Sequence, residues 1–104
     1  MKLKYDLEVS NYTIDKKLST LINQIYKLLP IREEGSDWVK PLETIIEELI
    51  GIDRLFIEEE YKFFTLICKL EGLFFLENEE DFQLYRRIIF ECLSLVGDIQ
   101  NAIA

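Results

Sequence analysis

Apolar residues recur at intervals of three and four from residue 13 almost to the last residue of this 104-residue chain. Such spacing puts apolar side chains on one face of an α-helix. Each amphipathic helix must then bury that face against another element. The pattern predicts an all-α protein, an antiparallel bundle of about four helices that forms a single domain over residues 1–104.

The first helix is predicted from a stripe of seven apolar residues: Ile14, Leu18, Leu21, Ile22, Ile25, Leu28 and Leu29. Thr13 is expected to be its N-cap, because a threonine hydroxyl can accept a hydrogen bond from a free backbone N–H of the first turn. Pro30 is expected to stop the helix, since the residue before a proline is disfavoured in the α region. Residues 31–36 are then predicted to form a loop.

The second helix is expected to take Ser36 or Asp37 as its N-cap and to end at Gly51, a residue suited to a helix C-terminus. Residues 52–56 are either a short connection or an irregular start of the third helix. The fourth helix is expected to open at Asn78 as a side-chain cap, followed by three acids that favour the positive end of the helix dipole.

The third helix is predicted over about residues 57–76 and is apolar around most of its circumference. Such a helix belongs in the centre of a bundle or under a partner. Its last residues, 73–76, are also consistent with an extended segment. Residues 1–12 alternate apolar and polar side chains, which is typical of a short strand or an extended arm.

The chain has no histidine, and this absence excludes histidine-dependent catalytic triads and histidine-containing metal sites. A di-metal helical bundle normally uses Glu-x-x-His pairs, which a chain without histidine cannot contain. Cys68 and Cys92 lie in apolar helical patterns and are expected to be buried free thiols, with a disulfide or a metal pair as alternatives. We expect no cofactor, no metal and no enzymatic activity.

The net charge of −8 disfavours nucleic acid as a partner, because phosphate binding relies on lysine and arginine. Arg86 and Arg87 are adjacent, but surface charge is the expected role of such a pair, with Glu91 within reach of Arg87. No apolar run is long enough to span a bilayer and no signal peptide is evident, so we expect a cytoplasmic protein that does not enter a membrane.

Fifteen of the 20 acidic residues lie between residues 33 and 81. An up-and-down bundle brings the start of the second helix, the end of the third and the start of the fourth to one end. We call this end the acidic pole, and its candidate partner-binding residues are Glu33, Glu34, Asp37, Trp38, Glu77, Glu79, Glu80 and Asp81. The opposite pole is expected to hold Glu47, Glu48, Asp53, Glu58, Glu59 and Glu60.

The sequence is consistent with two interpretations of the acidic pole. The acids are either ordinary solvated helix ends or a surface that docks on a basic cleft. Trp38 is either a core residue or an interface anchor, since tryptophan is enriched where binding energy concentrates.

The order of helices and three residue runs resemble small helical immunity proteins of bacterial polymorphic-toxin and contact-dependent growth inhibition systems. The runs are residues 36–42 (SDWVKPL), 70–73 (LEGL) and 86–91 (RRIIFE), and the resemblance spans residues 14–100. It implies a cytoplasmic antitoxin that binds and blocks the catalytic domain of a cognate toxin, a basic domain and frequently a nuclease.

Two other functions are consistent with the residues. One is a structural or assembly protein that self-associates through apolar helices. The other is a phage-encoded inhibitor of a host enzyme. We expect an immunity protein of this kind to be a monomer or a weak homodimer.

Overall fold

Four α-helices make up most of the computed structural model, which describes residues 11–55 and 61–103. They are α1 (Asn11–Glu33), α2 (Val39–Asp53), α3 (Tyr61–Gly72) and α4 (Phe82–Ile103). Two short 3-10 helices, Leu73–Phe75 and Glu79–Asp81, lie between α3 and α4. The predicted all-α bundle is confirmed, and the described residues include no strand.

The helices form a ring in which α1 and α3 each pack against α2 and α4. Neighbouring helices run antiparallel, as contacts at their ends show. The Gln100 amide near the end of α4 donates hydrogen bonds to the Asp15 carbonyl (3.2 Å) and the Ser19 hydroxyl (2.8 Å) near the start of α1. Lys17 pairs with Glu48, near the end of α2, at 3.3 Å.

One apolar cluster fills the space between the four helices. Burying a leucine or isoleucine side chain stabilises a fold by about 1.5–3 kcal/mol, so this cluster is the main source of stability. Its fully or almost fully buried members are Ile14, Leu18, Leu21, Ile25, Leu28, Leu29, Leu42, Ile45, Ile46, Leu49, Ile52, Phe63, Leu66, Leu70, Leu73, Tyr85, Ile89, Cys92, Val96 and Ile99.

The first helix does not stop at Pro30, so that prediction is wrong, and residues 31–33 are helical. Proline removes its own N–H donor and crowds the carbonyl four residues earlier, but the Pro30 carbonyl still accepts a hydrogen bond from the Glu34 N–H (3.0 Å). The helix ends instead at Glu33, and the chain turns at Gly35, whose φ of 76° is left-handed. The Gly35 and Ser36 amides donate to the carbonyls of Arg32 and Ile31, the pattern of a Schellman motif.

Thr13 lies inside α1, which already includes Asn11, so it is not the expected N-cap. The strand or arm was predicted for residues 1–12: Asn11 and Tyr12 belong to α1, so the prediction is wrong for them, and residues 1–10 lie outside the described residues.

Trp38 occupies the N-cap position of the second helix, and Asp37, one of the two predicted alternatives, supplies the capping side chain from one residue earlier. The Asp37 Oδ1 accepts hydrogen bonds from the backbone N–H of Val39 (3.0 Å) and Lys40 (3.4 Å). Gly51 does not end the helix, because α2 continues to Asp53 and buries Ile52 in the core.

The third helix does not have the central position that was predicted. It buries Phe63, Leu66 and Leu70 but leaves Tyr61 and Phe64 exposed on the other side. The reason is that α3 is one member of a ring and contacts helices on one side only. Residues 73–75 form a 3-10 helix, so the extended alternative is wrong. Residues 57–60 lie outside the described residues.

The start of α4 also differs from the prediction. Asn78 makes no side-chain capping hydrogen bond, and its backbone carbonyl instead accepts from the Asp81 N–H (3.0 Å). The three acids after it form a 3-10 turn, and α4 begins at Phe82.

The two cysteines are free thiols, but only Cys92 is buried. Burial raises the pKa of the Cys92 thiol from 9.0 to about 12, with nearby Lys69 opposing the shift and Glu91 adding to it. Cys68 was expected to be buried as well, and it is exposed because it lies one turn after Phe64 on the outer side of α3.

Gly35 and Gly51 provide a matched test of backbone conformation, because Gly35 has a left-handed φ and Gly51 is helical. Gly35→Ala should lower the free energy of unfolding by about 1–2 kcal/mol, because an L-residue is strained at φ 76°. Gly51→Ala should raise it by about 0.5–1 kcal/mol, because Gly51 is helical and a Cβ there meets open space. Urea unfolding of both variants measures the difference, and a destabilised Gly51→Ala would contradict the helix that runs past residue 51.

Candidate protein-binding site

Arg32, in the last turn of α1, is the residue around which the acidic pole is built. Its Nη1 donates a hydrogen bond to the carbonyl of Leu76. Its Nη2 donates to the carbonyl of Asn78 at 2.8 Å. One guanidinium therefore joins the end of α1 to the segment that connects α3 and α4.

Three aromatic rings surround the same guanidinium. The Arg32 Cζ atom lies 4.3 Å from the ring centroid of Tyr85, 5.2 Å from that of Trp38 and 5.6 Å from that of Phe82. All three distances fall within the range of cation–π attraction. The Trp38 and Tyr85 rings meet edge to face with centroids 5.1 Å apart, a favourable aromatic geometry. The half-buried Trp38 therefore packs on the core and also faces the surface of the acidic pole.

Tyr85 is fully buried in this cluster. Desolvation raises the pKa of its phenol from 10.0 to about 12, and the positive charge of Arg32 partly opposes the shift. The Tyr85 hydroxyl has no hydrogen-bond partner within the part of the chain that the structure describes. The residue therefore contributes its ring to packing, and its hydroxyl stays protonated throughout the neutral range.

A pocket of about 440 Å³ opens beside this cluster. Three carboxylates and one guanidinium provide its charges, while an indole and a phenyl ring provide its apolar wall. The lining residues are Arg32, Glu33, Gly35, Ser36, Trp38, Glu77, Glu79 and Phe82.

The structure brings four of the eight predicted site residues together in this pocket: Glu33, Trp38, Glu77 and Glu79. The other four do not line it. Glu34 and Glu80 are exposed beside it, and Asp81 is half-buried in the 3-10 turn. Asp37 is exposed, but its carboxylate is engaged in capping α2.

The carboxylates of the acidic pole have no basic side chain paired with them in the described ranges. The ion pairs of the described residues lie away from the acidic pole: Lys17 with Glu48, Lys69 with Glu91, and Arg87 with Glu91. Arg32 is close to Glu33 and Glu77 but donates to backbone carbonyls. The negative charge at this end is therefore left available to a partner.

The opposite pole is less acidic than predicted over the described residues. Glu48 pairs with Lys17, and Glu47 lies beside the end of α3 and so belongs to the other half of the bundle. The prediction for Glu58, Glu59 and Glu60 lies outside the described residues.

Sequence reasoning missed Arg32, which was placed in a loop, and it did not include Phe82 or Tyr85 among the candidate site residues. The missed signal was the topology itself. An antiparallel bundle brings Trp38, Phe82 and Tyr85 to the same end as Arg32, and aromatic faces attract a guanidinium.

The described residues include no helix long and apolar enough to cross a lipid bilayer. They also include no group of three acidic or cysteine side chains arranged to hold a metal ion. The acidic pole presents carboxylates, which bind cationic side chains, and aromatic rings, which bind cationic and apolar ones.

Comparison with protein-family models, with curated proteins and with solved structures found no match to this chain. The resemblance to immunity proteins therefore stays a prediction that rests on helix order and on three residue runs.

Arg32→Ala should lower the free energy of unfolding by about 1–3 kcal/mol, because it leaves two carbonyls without their donor and removes the cation from three rings. Arg32→Lys should recover only part of this loss, since an ammonium lacks the planar fork. Arg87→Ala is the control, because its exposed i,i+4 ion pair is worth about 0.5 kcal/mol or less. Equal losses in Arg32→Ala and Arg87→Ala would contradict the role given to Arg32.

Tyr85 should ionise only near pH 12 in the folded protein. Because its pKa is higher in the folded than in the unfolded chain, its contribution to stability is complete below pH 10 and is lost as the pH rises towards 12. The tyrosinate absorbance of wild type and Tyr85→Phe measures this directly. Tyr85→Phe should remove that pH dependence and keep the stability at neutral pH, because the lost hydroxyl has no partner among the described residues. A marked loss of stability at neutral pH would show that the hydroxyl is bonded.

Proposed function

We propose that this protein is an immunity protein, a cytoplasmic antitoxin that binds and neutralises the catalytic domain of a cognate bacterial toxin. The partner is a basic domain of the nuclease type. The acidic pole is the surface that binds it, and the protein itself carries out no catalysis.

The observation that carries this proposal is the set of unpaired carboxylates around the pocket. Glu33, Glu77 and Glu79 line it together, and no ion pair within the described residues neutralises them. Folding alone does not require three such acids to converge beside an exposed indole edge.

A nuclease recognises phosphates through lysine and arginine side chains, which line its substrate channel. Carboxylates that converge at one end of a helical bundle can take the positions of those phosphates. Complementary charge also accelerates association, and the acceleration weakens as salt screens it. An acidic pole held by Arg32 and its aromatic neighbours would therefore meet a basic channel already in its binding geometry.

Trp38 gives the same surface an apolar anchor. It lines the pocket and is half-buried, so its ring is fixed by Tyr85 and Arg32 before any partner arrives. Tryptophan in such a position often contributes strongly to binding, because little side-chain entropy is lost when the partner covers it.

The second candidate is an assembly protein that self-associates through α3. The exposed aromatic side chains of Tyr61 (77% exposed) and Phe64 (55%) favour it. Sedimentation at micromolar concentration separates the two candidates, since self-association through this helix predicts a dimer that Phe64→Ser dissociates. An inhibitor of a host enzyme encoded by a phage would use the same acidic pole on a different basic target.

The proposal is tested by co-expression with the product of the neighbouring open reading frame. We expect that product to be toxic alone, to be neutralised by this protein and to form a complex with it. Glu77→Gln combined with Glu79→Gln should slow association about tenfold or more at low salt and flatten its salt dependence.

Asp15→Asn combined with Asp98→Asn is the matched control, because it removes the same charge at the other end of α1 and α4. This control should change association by about twofold or less. A neighbouring product that is harmless, or that binds at a rate independent of salt, would overturn the proposal.

A further inference from the structure

A second concave surface lies between α2 and the end of α3. It has a volume of about 380 Å³ and is separate from the pocket of the acidic pole. We call it the α2–α3 groove, and its lining residues are Glu43, Ile46, Glu47, Glu71, Phe74 and Phe75.

The floor of the groove is apolar. Ile46 is buried and Phe74 is half-buried, whereas Phe75 exposes 85% of its surface. A phenylalanine with this degree of exposure keeps nearly all of its apolar area in contact with water. Covering that area with a partner would be favourable. Phe75 is the last residue of the short 3-10 helix that follows α3.

The rim of the groove is acidic. Glu43, Glu47 and Glu71 are all exposed, and no basic side chain lines the groove with them. None of the three is in an ion pair with any residue of the described ranges. An apolar floor inside a ring of carboxylates is complementary to an apolar side chain flanked by lysine or arginine.

We propose that the α2–α3 groove binds a segment of the basic partner in which an apolar side chain lies between basic ones. This inference rests on the proposed function for the identity of the partner. A second copy of this chain is a poor occupant, because it would bring two sets of these three carboxylates together. A membrane with anionic lipids is excluded by the same repulsion.

The groove adjoins the acidic pole along the chain. Phe75 belongs to the groove and Glu77 to the pocket of the pole, with Leu76 between them. One partner can therefore contact both surfaces at once. The exposed charge of the pole would then set the rate of association, while apolar contact in the groove would slow dissociation.

The test uses three synthetic helical peptides and the full-length protein. The first peptide has leucines on one face and lysines on the other, the second replaces the lysines by glutamates, and the third replaces the leucines by serines. Amide chemical shifts recorded during titration locate the binding site of each peptide. We expect the leucine–lysine peptide to shift the resonances of residues 43–47 and 71–75, and the other two to leave them unchanged.

Phe75→Ser should weaken binding of the leucine–lysine peptide about tenfold, because the variant removes the exposed part of the apolar floor. Phe64→Ser is the matched control. Phe64 is also an exposed phenylalanine, but it lies in α3 and does not line the groove. We expect this control to bind within about twofold of wild type. Thermal unfolding of both variants verifies that they are folded.

The outcomes separate this inference from the proposed function. If the leucine–lysine peptide shifts only residues 33 and 77–82, or if Phe75→Ser binds as well as Phe64→Ser, the groove is not a binding site and the acidic pole keeps its proposed role. If the peptide binds in the groove while the neighbouring product does not bind the protein, the proposed partner is wrong and the groove recognises another basic segment.

Discussion

One guanidinium determines the arrangement of the acidic pole. Arg32 donates to the carbonyls of Leu76 and Asn78, and it lies against the rings of Trp38, Phe82 and Tyr85. These partners belong to the start of α2, the α3–α4 connection and the start of α4. The apolar core holds the helices together, and this contact joins α1 to all three segments through a single side chain.

The same contact decides the electrostatics of the surface. Arg32 donates its hydrogen bonds to backbone carbonyls. The carboxylates of Glu33, Glu77 and Glu79 therefore form no ion pair among the described residues. The backbone that carries Glu77 and Glu79 is held by Arg32, and no ion pair within the described residues neutralises the carboxylates. This combination suits a surface that binds a basic protein, because little reorganisation is needed when the partner arrives.

The sequence allowed the fold class and most of the core to be predicted, because apolar spacing records which helix faces are buried. It failed where backbone geometry outweighed local preference. Pro30 was expected to end α1, yet its carbonyl still serves the helix and the chain turns only at Gly35. Glu33 and Glu79 could be placed at one pole from topology alone. The same topology brings Arg32 to that pole, but its hydrogen bonds to the Leu76 and Asn78 carbonyls and the α2–α3 groove could not be predicted, because both depend on contacts between residues far apart in sequence.

The central claim is that the Arg32 guanidinium binds carbonyls and leaves the neighbouring carboxylates free. Nuclear magnetic resonance can test it through scalar couplings across hydrogen bonds in labelled protein. We expect couplings from the Arg32 Nη atoms to the carbonyl carbons of Leu76 and Asn78, with the guanidinium protons shifted by the ring of Tyr85. Couplings to the side-chain carboxyl carbons of Glu33, Glu77 or Glu79 would contradict it.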